Sequence, residues 1–181
     1  MGELAGQWMV LVAGPVRSGK STLAGRIAER FGGMRVGFGD AVRQRTLELG
    51  LPAGRTSWQQ VGAQWVAEDP EGMCDAVLAN AAGQAVVVVD GVRHQHIYEL
   101  LRTRAGSRRV VLVYVDADIG VRRQRLALDG LGAADIAQIL GHSTEAELPG
   151  LRDAADMVAD GTNGTHQVLA DIGARIAGGR A

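Results

Sequence analysis

A chain of 181 residues, 46% hydrophobic and 22% charged, has the size and balance of one soluble globular domain with a substantial core. Its formal net charge of −1 excludes the broad positive field on which polynucleotide and anionic-membrane binders rely, though a local cluster of arginines is compatible with it. Cys74 is the lone cysteine, which excludes a disulfide framework or cysteine metal cluster and reads as a small buried apolar residue. With no leader and no run of 18 apolar residues, a cytoplasmic location without a membrane partner is expected.

Strand and helix signals alternate along the chain, between loose ends at 1–6 and 178–181. Trp8-Met9-Val10-Leu11-Val12-Ala13 is an apolar run stopped by Gly14, the pattern of a strand buried on both faces. Lys20 to Phe31 reads as a helix with Leu23, Ile27 and Phe31 four apart. Arg35-Val36-Gly37-Phe38 is a second strand candidate. Asp40 behind it is either the N-cap of a helix over 41–50 or a reacting group. Ser57-x-x-Gln60 reads as a capping box opening a helix over 57–69, which carries Trp58, Val61 and Trp65 on one side and ends at Pro70. Two tryptophans at that spacing point to core, or to the wall of a base pocket.

A helix over 72–82 leads to Ala85-Val86-Val87-Val88-Val89-Asp90, whose four valines signal another fully covered strand. Val110 to Val115 is a fourth strand and Met157-Val158-Ala159 a short last one, with helices over 94–104, 118–128, 133–140 and 165–177. The pattern predicts a doubly wound α/β sheet of parallel strands joined by right-handed helical crossovers, in one domain spanning 1–181. Strand signals are missing over 40–84 and over the turn-rich 129–152.

Chemistry concentrates behind the first strand. Gly14-Pro15-Val16-Arg17-Ser18-Gly19-Lys20-Ser21 reads G-x-x-x-x-G-K-[ST] without a mismatch. Arginine supplies every other basic side chain, so the one lysine stands where a compact ammonium must reach between β- and γ-phosphates. The loop's N–H groups would cradle the phosphates at a helix N-terminus, with Ser21 on Mg²⁺ and Thr22 at the α-phosphate. Asp90 at a strand end suits the Mg²⁺ hydration shell, or simply begins a turn before Gly91. Arg93, with His94 beside it, and Arg43 near Asp40 are candidates to grip an acceptor phosphate. Arg122 and Arg125 share a helix face and either neutralise transferring phosphate oxygens or form a solvated face, and Arg152 would return from beyond the 129–152 stretch. His94 and His96 lack a third His or Cys at metal spacing, so no zinc site is read.

Taken together these segments resemble the P-loop kinases of the nucleoside-monophosphate-kinase type. Dephospho-coenzyme A kinase, phage deoxynucleoside monophosphate kinases and adenylate-kinase-like archaeal proteins are the nearest families. Besides the glycine loop, the resemblance rests on Gly39-Asp40-Ala41-Val42-Arg43, on Val89-Asp90-Gly91-Val92-Arg93, and on Ala155-Asp156-Met157-Val158 through Asn163-Gly164-Thr165. It implies a P-loop three-layer fold with the sheet ordered 2-3-1-4-5, an acceptor-binding helical insert at about 40–84 and a short lid at about 129–152. It further implies ATP and Mg²⁺ as cofactors, an Asp40-like residue at the acceptor, and Asn163 and Gly164 near adenine. Where these families carry one more lid arginine, this chain has Ala127-Leu128-Asp129.

The function expected is transfer of the γ-phosphoryl group of ATP to a nucleotide-like small molecule. The alternatives are a kinase acting on a modified base in nucleic acid, and a P-loop ATPase or nucleotide-gated binding module. A switch GTPase is excluded in its usual form, because the N-K-x-D motif needs a second lysine.

Overall fold

Every residue of β1 (Trp8–Ala13) is buried, and successive side chains enter two different cores. Met9, Leu11 and Ala13 face one and Trp8, Val10 and Val12 the other, the alternation of a strand covered on both faces. The computed structural model describes residues 6–141, 147–162 and 165–178. Among them, β1 is followed by α1 (Lys20–Phe31), β2 (Met34–Gly37), α2 (Phe38–Glu48), α3 (Arg55–Glu68), α4 (Pro70–Ala79) and β3 (Val86–Val92). Then come α5 (Gln95–Arg104), β4 (Arg109–Asp116), α6 (Ile119–Leu128), α7 (Ala133–Leu140), α8 (Leu148–Asp153), β5 (Met157–Asp160) and α9 (Thr165–Gly178).

The strands form one parallel sheet in the order β2-β3-β1-β4-β5, the order that the kinase resemblance implies. One face packs on α1 and α9 through Leu23, Ile27, Val168 and Ile172. The other packs on α2 to α5 and α8 through Val42, Val61, Val77, Leu101 and Leu151. Each fully buried aliphatic side chain contributes roughly 1.5–3 kcal/mol by leaving water, which is what holds three layers together. Arg104 ties α5 to α4 at the rim, donating to Asp75 at 2.6 Å and Glu71 at 3.1 Å.

Several boundaries differ from the sequence reading. Phe38 is the first residue of α2 rather than the last of β2, and its ring is buried in the core. Asp40 therefore lies in the first helical turn behind an extended Gly37 and is not the N-cap. Ser57 is likewise inside α3, which opens at Arg55 without a side-chain cap, so the capping box does not form. Pro70 opens α4 as well as following α3: it takes the first helical position, and Asp69 Oδ1 accepts the Gly72 N–H at 2.9 Å. β3 runs two residues past Asp90, through a register shift at Gly91, whose φ of 90° only glycine adopts cheaply. Finally, α8 lies within the stretch read as turns; six residues are too few to show a period, yet Leu148 and Leu151 both enter the core.

Trp58 and Trp65 are partly buried against the core, with the Arg43 and Arg45 guanidiniums each 5.7 Å from a ring centroid. Cys74 of α4 is fully buried, and that burial pushes its thiol up to about 11, against a smaller lowering by Arg104. A thiol-specific disulfide reagent at pH 8 is expected to modify Cys74 at least about a hundredfold more slowly in the native protein than in urea. Equal rates would show that α4 does not pack as described.

Candidate active site

β1 ends at Ala13 and the chain turns through Gly14 to Gly19 directly into α1, the strand, loop and helix order that the glycine motif requires. Gly14, Arg17 and Gly19 have φ of 140°, 61° and 100°. Arg17 is the only non-glycine residue with positive φ among the described residues, a strain of the kind stored at binding loops. A Cβ on Gly14 would lie 2.3 Å from Val115 O of β4, and one on Gly161 would lie 1.8 Å from Ser18 O. The loop is thus wedged against the carboxyl ends of β4 and β5.

Lys20 Nζ donates to Pro15 O at 2.9 Å and is 7% exposed. The Ser18 hydroxyl is fully buried and makes no hydrogen bond among the described residues. Over the loop opens a cleft of about 610 Å³, lined among others by Arg17, Lys20, Ser21, Thr22, Arg26, Arg125, Gly161, Thr162 and His166. Asn163 and Gly164, expected near adenine, lie outside the described residues.

Asp118 caps α6 by accepting the Gly120 N–H at 2.7 Å, and the helix carries its two shared-face arginines to the loop. Arg122 is 9% exposed, and its Nε donates to Val16 O at 2.8 Å. Arg125 donates to Arg17 O at 3.0 Å and to Gly161 O at 2.9 Å, bridging the loop and the turn after β5. Of the two, Arg125 lines the cleft. Arg17 forms an ion pair with Asp129. Arg152 pairs with Asp116 at 3.3 Å, at the end of β4.

A second cluster lies at the ends of β2 and β3. Gly37 of β2 pairs with Asp90 of β3, and β3 in turn pairs with β1, so the cluster stands one strand from the glycine loop. Arg35 donates to Asp90 Oδ2 at 2.8 Å and to Asp40 Oδ2 at 3.3 Å, while Arg43 bonds the other Asp40 oxygen. Asp90 is 6% exposed, and its Oδ1 has no partner among the described residues. One carboxylate oxygen is therefore held by a guanidinium and the other is left to accept a proton donor, as a metal-bound water is. The donor set of Ser21 and Asp90 fits a hydrated Mg²⁺ ion, a hard cation that takes oxygen ligands and keeps several waters.

Arg93 is half-buried immediately after β3. Beside it, His94 Nδ1 lies 2.9 Å from Glu147 Oε1, and Glu147 Oε2 accepts the Gln95 N–H at 3.0 Å. Burial works to raise the Glu147 carboxyl, but the bonds from His94 and Gln95 outweigh it and hold it below the usual range. The sequence reading looked for a third His or Cys beside His94 and His96; the residue that joins them is a carboxylate, Glu147, and one ligand atom of each of the three lies within 4.8 Å of the others.

Sequence reading missed Arg35 and Arg55. Arg35 meets Asp90 across 55 residues, a partnership that no local pattern marks. Arg55 opens α3, and burial, then the charge of Arg17, lowers its guanidinium pKa.

A family pattern described as AAA domain matches residues 10–149. The chain belongs to that family. No curated protein matches the sequence. Among solved structures, shikimate kinase from Acinetobacter baumannii in complex with shikimate is 16% identical with a TM-score of 0.55, covering 96% of this chain and 95% of its own. A gluconokinase from Sinorhizobium meliloti 1021 is 20% identical with a TM-score of 0.56, covering 97% and 94%. The tunicamycin resistance protein of Deinococcus radiodurans is 18% identical with a TM-score of 0.58, covering 94% and 96%. Identities this low establish a shared fold, and this AAA domain has the P-loop kinase fold.

The wedge at Gly161 makes a direct prediction. Gly161→Ala drives a Cβ into the Ser18 carbonyl, a backbone contact that only a shift of the loop relieves, and is expected to lower stability by about 1–3 kcal/mol. It should also abolish the rise in melting temperature expected of the native chain with ATP. Thermal unfolding with and without ATP measures both, and an unchanged ATP shift would overturn the wedge.

Proposed function

We propose that this AAA domain is an ATP-dependent phosphotransferase that moves the γ-phosphoryl group of ATP to a nucleotide or nucleotide-like small molecule. The observation that carries the reading is the second cluster. A simple nucleotide-hydrolysing module needs the glycine loop and a cation site. Here Arg35, Asp40 and Arg43 add a separate acid-and-arginine cluster one strand away, beside the inserted helices α2 to α4.

In this reading the loop from Gly14 to Thr22 binds the triphosphate through backbone N–H groups, and Lys20 leaves Pro15 O for the β- and γ-phosphates. Ser21 and Asp90 would hold Mg²⁺, which supplies charge neutralisation across the transferring phosphate. Arg125, already in the cleft, stabilises the transition state. Arg122, buried against Val16 O, fixes the loop's shape. The acceptor lies over 40–84 with Arg43 and Arg93 on its phosphate and His94 at its edge. Its attacking oxygen forms a bond to the γ-phosphorus as the bond to the β–γ bridging oxygen breaks. ADP leaves, and where the attacking group is a hydroxyl its proton passes to Asp40. Among the described residues, the lid expected over 129–152 is confined to 129–141, because Leu148 and Leu151 hold α8 in the core; Arg152 stands on α8 at its far side, and 1–181 is one domain. No described helix is long and apolar enough to cross a membrane, and a cytoplasmic small-molecule enzyme is the reading that fits.

The test is ³¹P NMR of ATP with a panel of nucleoside monophosphates, nucleosides, dephospho-coenzyme A, shikimate and gluconate. One acceptor should appear phosphorylated with stoichiometric ADP. Lys20→Ala should cut the rate at least about a hundredfold. Asp40→Asn should cut it about 10²- to 10⁴-fold for a hydroxyl acceptor and far less for a phosphate acceptor, which needs no base. ATP turnover that no acceptor accelerates would turn the reading to an ATPase or nucleotide-gated module.

A further inference from the structure

We propose that His94, His96 and Glu147 form a site for one divalent transition-metal ion of the zinc class, clipping the start of α8 to the start of α5. The three side chains each offer a ligand atom, and these atoms all lie within 4.8 Å of one another. Around a tetrahedral ion with bonds of about 2.0–2.1 Å, neighbouring ligand atoms stand roughly 3.3 Å apart. His94 Nδ1 and Glu147 Oε1, at 2.9 Å, are already close to that separation.

Local backbone geometry explains why a His-x-His pair converges here. Two residues apart on a helix, side chains diverge. His94, however, is the extended N-cap of α5, with φ −122° and ψ 137°, and His96 is in the first turn. The corner turns the rings toward each other, with centroids 5.5 Å apart and planes at 45°. His96 is exposed, so its ring reorients at little cost.

The carboxylate is oriented as well. Glu147 Oε2 accepts the Gln95 N–H at 3.0 Å, which leaves Oε1 to face the imidazoles. An outer hydrogen bond of this kind holds a ligating carboxylate in place and sharpens affinity. Two imidazoles with one carboxylate select zinc or a neighbouring transition metal over Mg²⁺ or Ca²⁺, which take oxygen donors. A fourth position goes to water. The ion would join two segments 53 residues apart, one entering the β3–α5 corner and the other leaving the 129–152 stretch.

The experiment uses the full chain, stripped with chelator and titrated with Zn²⁺ against a chromogenic chelator in excess Mg²⁺. One equivalent should bind, and Co²⁺ in its place should give the visible absorption of a tetrahedral nitrogen–oxygen site. His96→Ala and Glu147→Gln should each weaken binding at least about tenfold while keeping the circular dichroism and melting temperature of the unmutated metal-free chain. Less than one equivalent, or affinity unchanged in either variant, would overturn the site. The readout is metal bound, so a chain that binds zinc without transferring phosphate, or transfers phosphate without zinc, separates this proposal from the kinase reading.

Discussion

The structure depends on a steric constraint between two glycines and two carbonyls. Gly14 presses on Val115 O and Gly161 on Ser18 O, so the glycine loop is locked between the strand it leaves and the ends of β4 and β5. No side chain fits in either contact. The arginines of α6 complete the lock from outside by donating to the Val16, Arg17 and Gly161 carbonyls. A phosphate-binding loop must hold its N–H groups converging before the anion arrives. Backbone-on-backbone packing and guanidinium bonds do that without adding bulk where the phosphates go.

The sheet then divides labour between its two faces. The face covered by α1 and α9 is aliphatic apart from Trp8 and Phe31, and it positions the loop and the cleft above it. The other face is covered by α2 to α5 and α8, and at its carboxyl edge the core gives way to the charged set of Arg35, Asp40, Arg43 and Asp90. Asp90 is almost fully buried, and Arg35 from the neighbouring strand bonds one of its two carboxylate oxygens. That pairing joins Asp90 to Asp40 through a single guanidinium.

Most of the fold is legible in the sequence because its strands are long apolar runs between glycines. β1 and α1 have the limits read from Trp8, Gly14 and Phe31, and the valines of β3 mark the strand although not its bulged continuation past Gly91. Misreadings fall where local signals compete with burial. Phe38 looks like strand and Ser57 like a cap, but the core needs Phe38 inward and α3 starts a turn earlier, from Gly54. Of the site, the glycine loop and Asp90 are read directly. Arg35, Arg55 and Glu147 are not, because each acquires meaning only from a partner brought near by the sheet. The Asp156 segment is recognisable as a motif, yet its geometry is structural: its carboxylate accepts the Leu112 N–H at 2.9 Å and pairs with Arg175 at 3.0 Å.

A chain with one lysine has one ε-amine, and here that amine is 7% exposed and bonded inside the glycine loop. The arginine-rich exterior therefore offers no primary amine to acylating agents, cross-linkers or lysine-directed modifying enzymes among the described residues. The remaining Lys/Arg cations are guanidinium groups, which cannot carry an acetyl or ubiquitin mark at an amine. Any such mark on a described side chain would have to sit on Lys20 itself, so for this chain covalent modification of lysine and disturbance of the glycine loop become the same event.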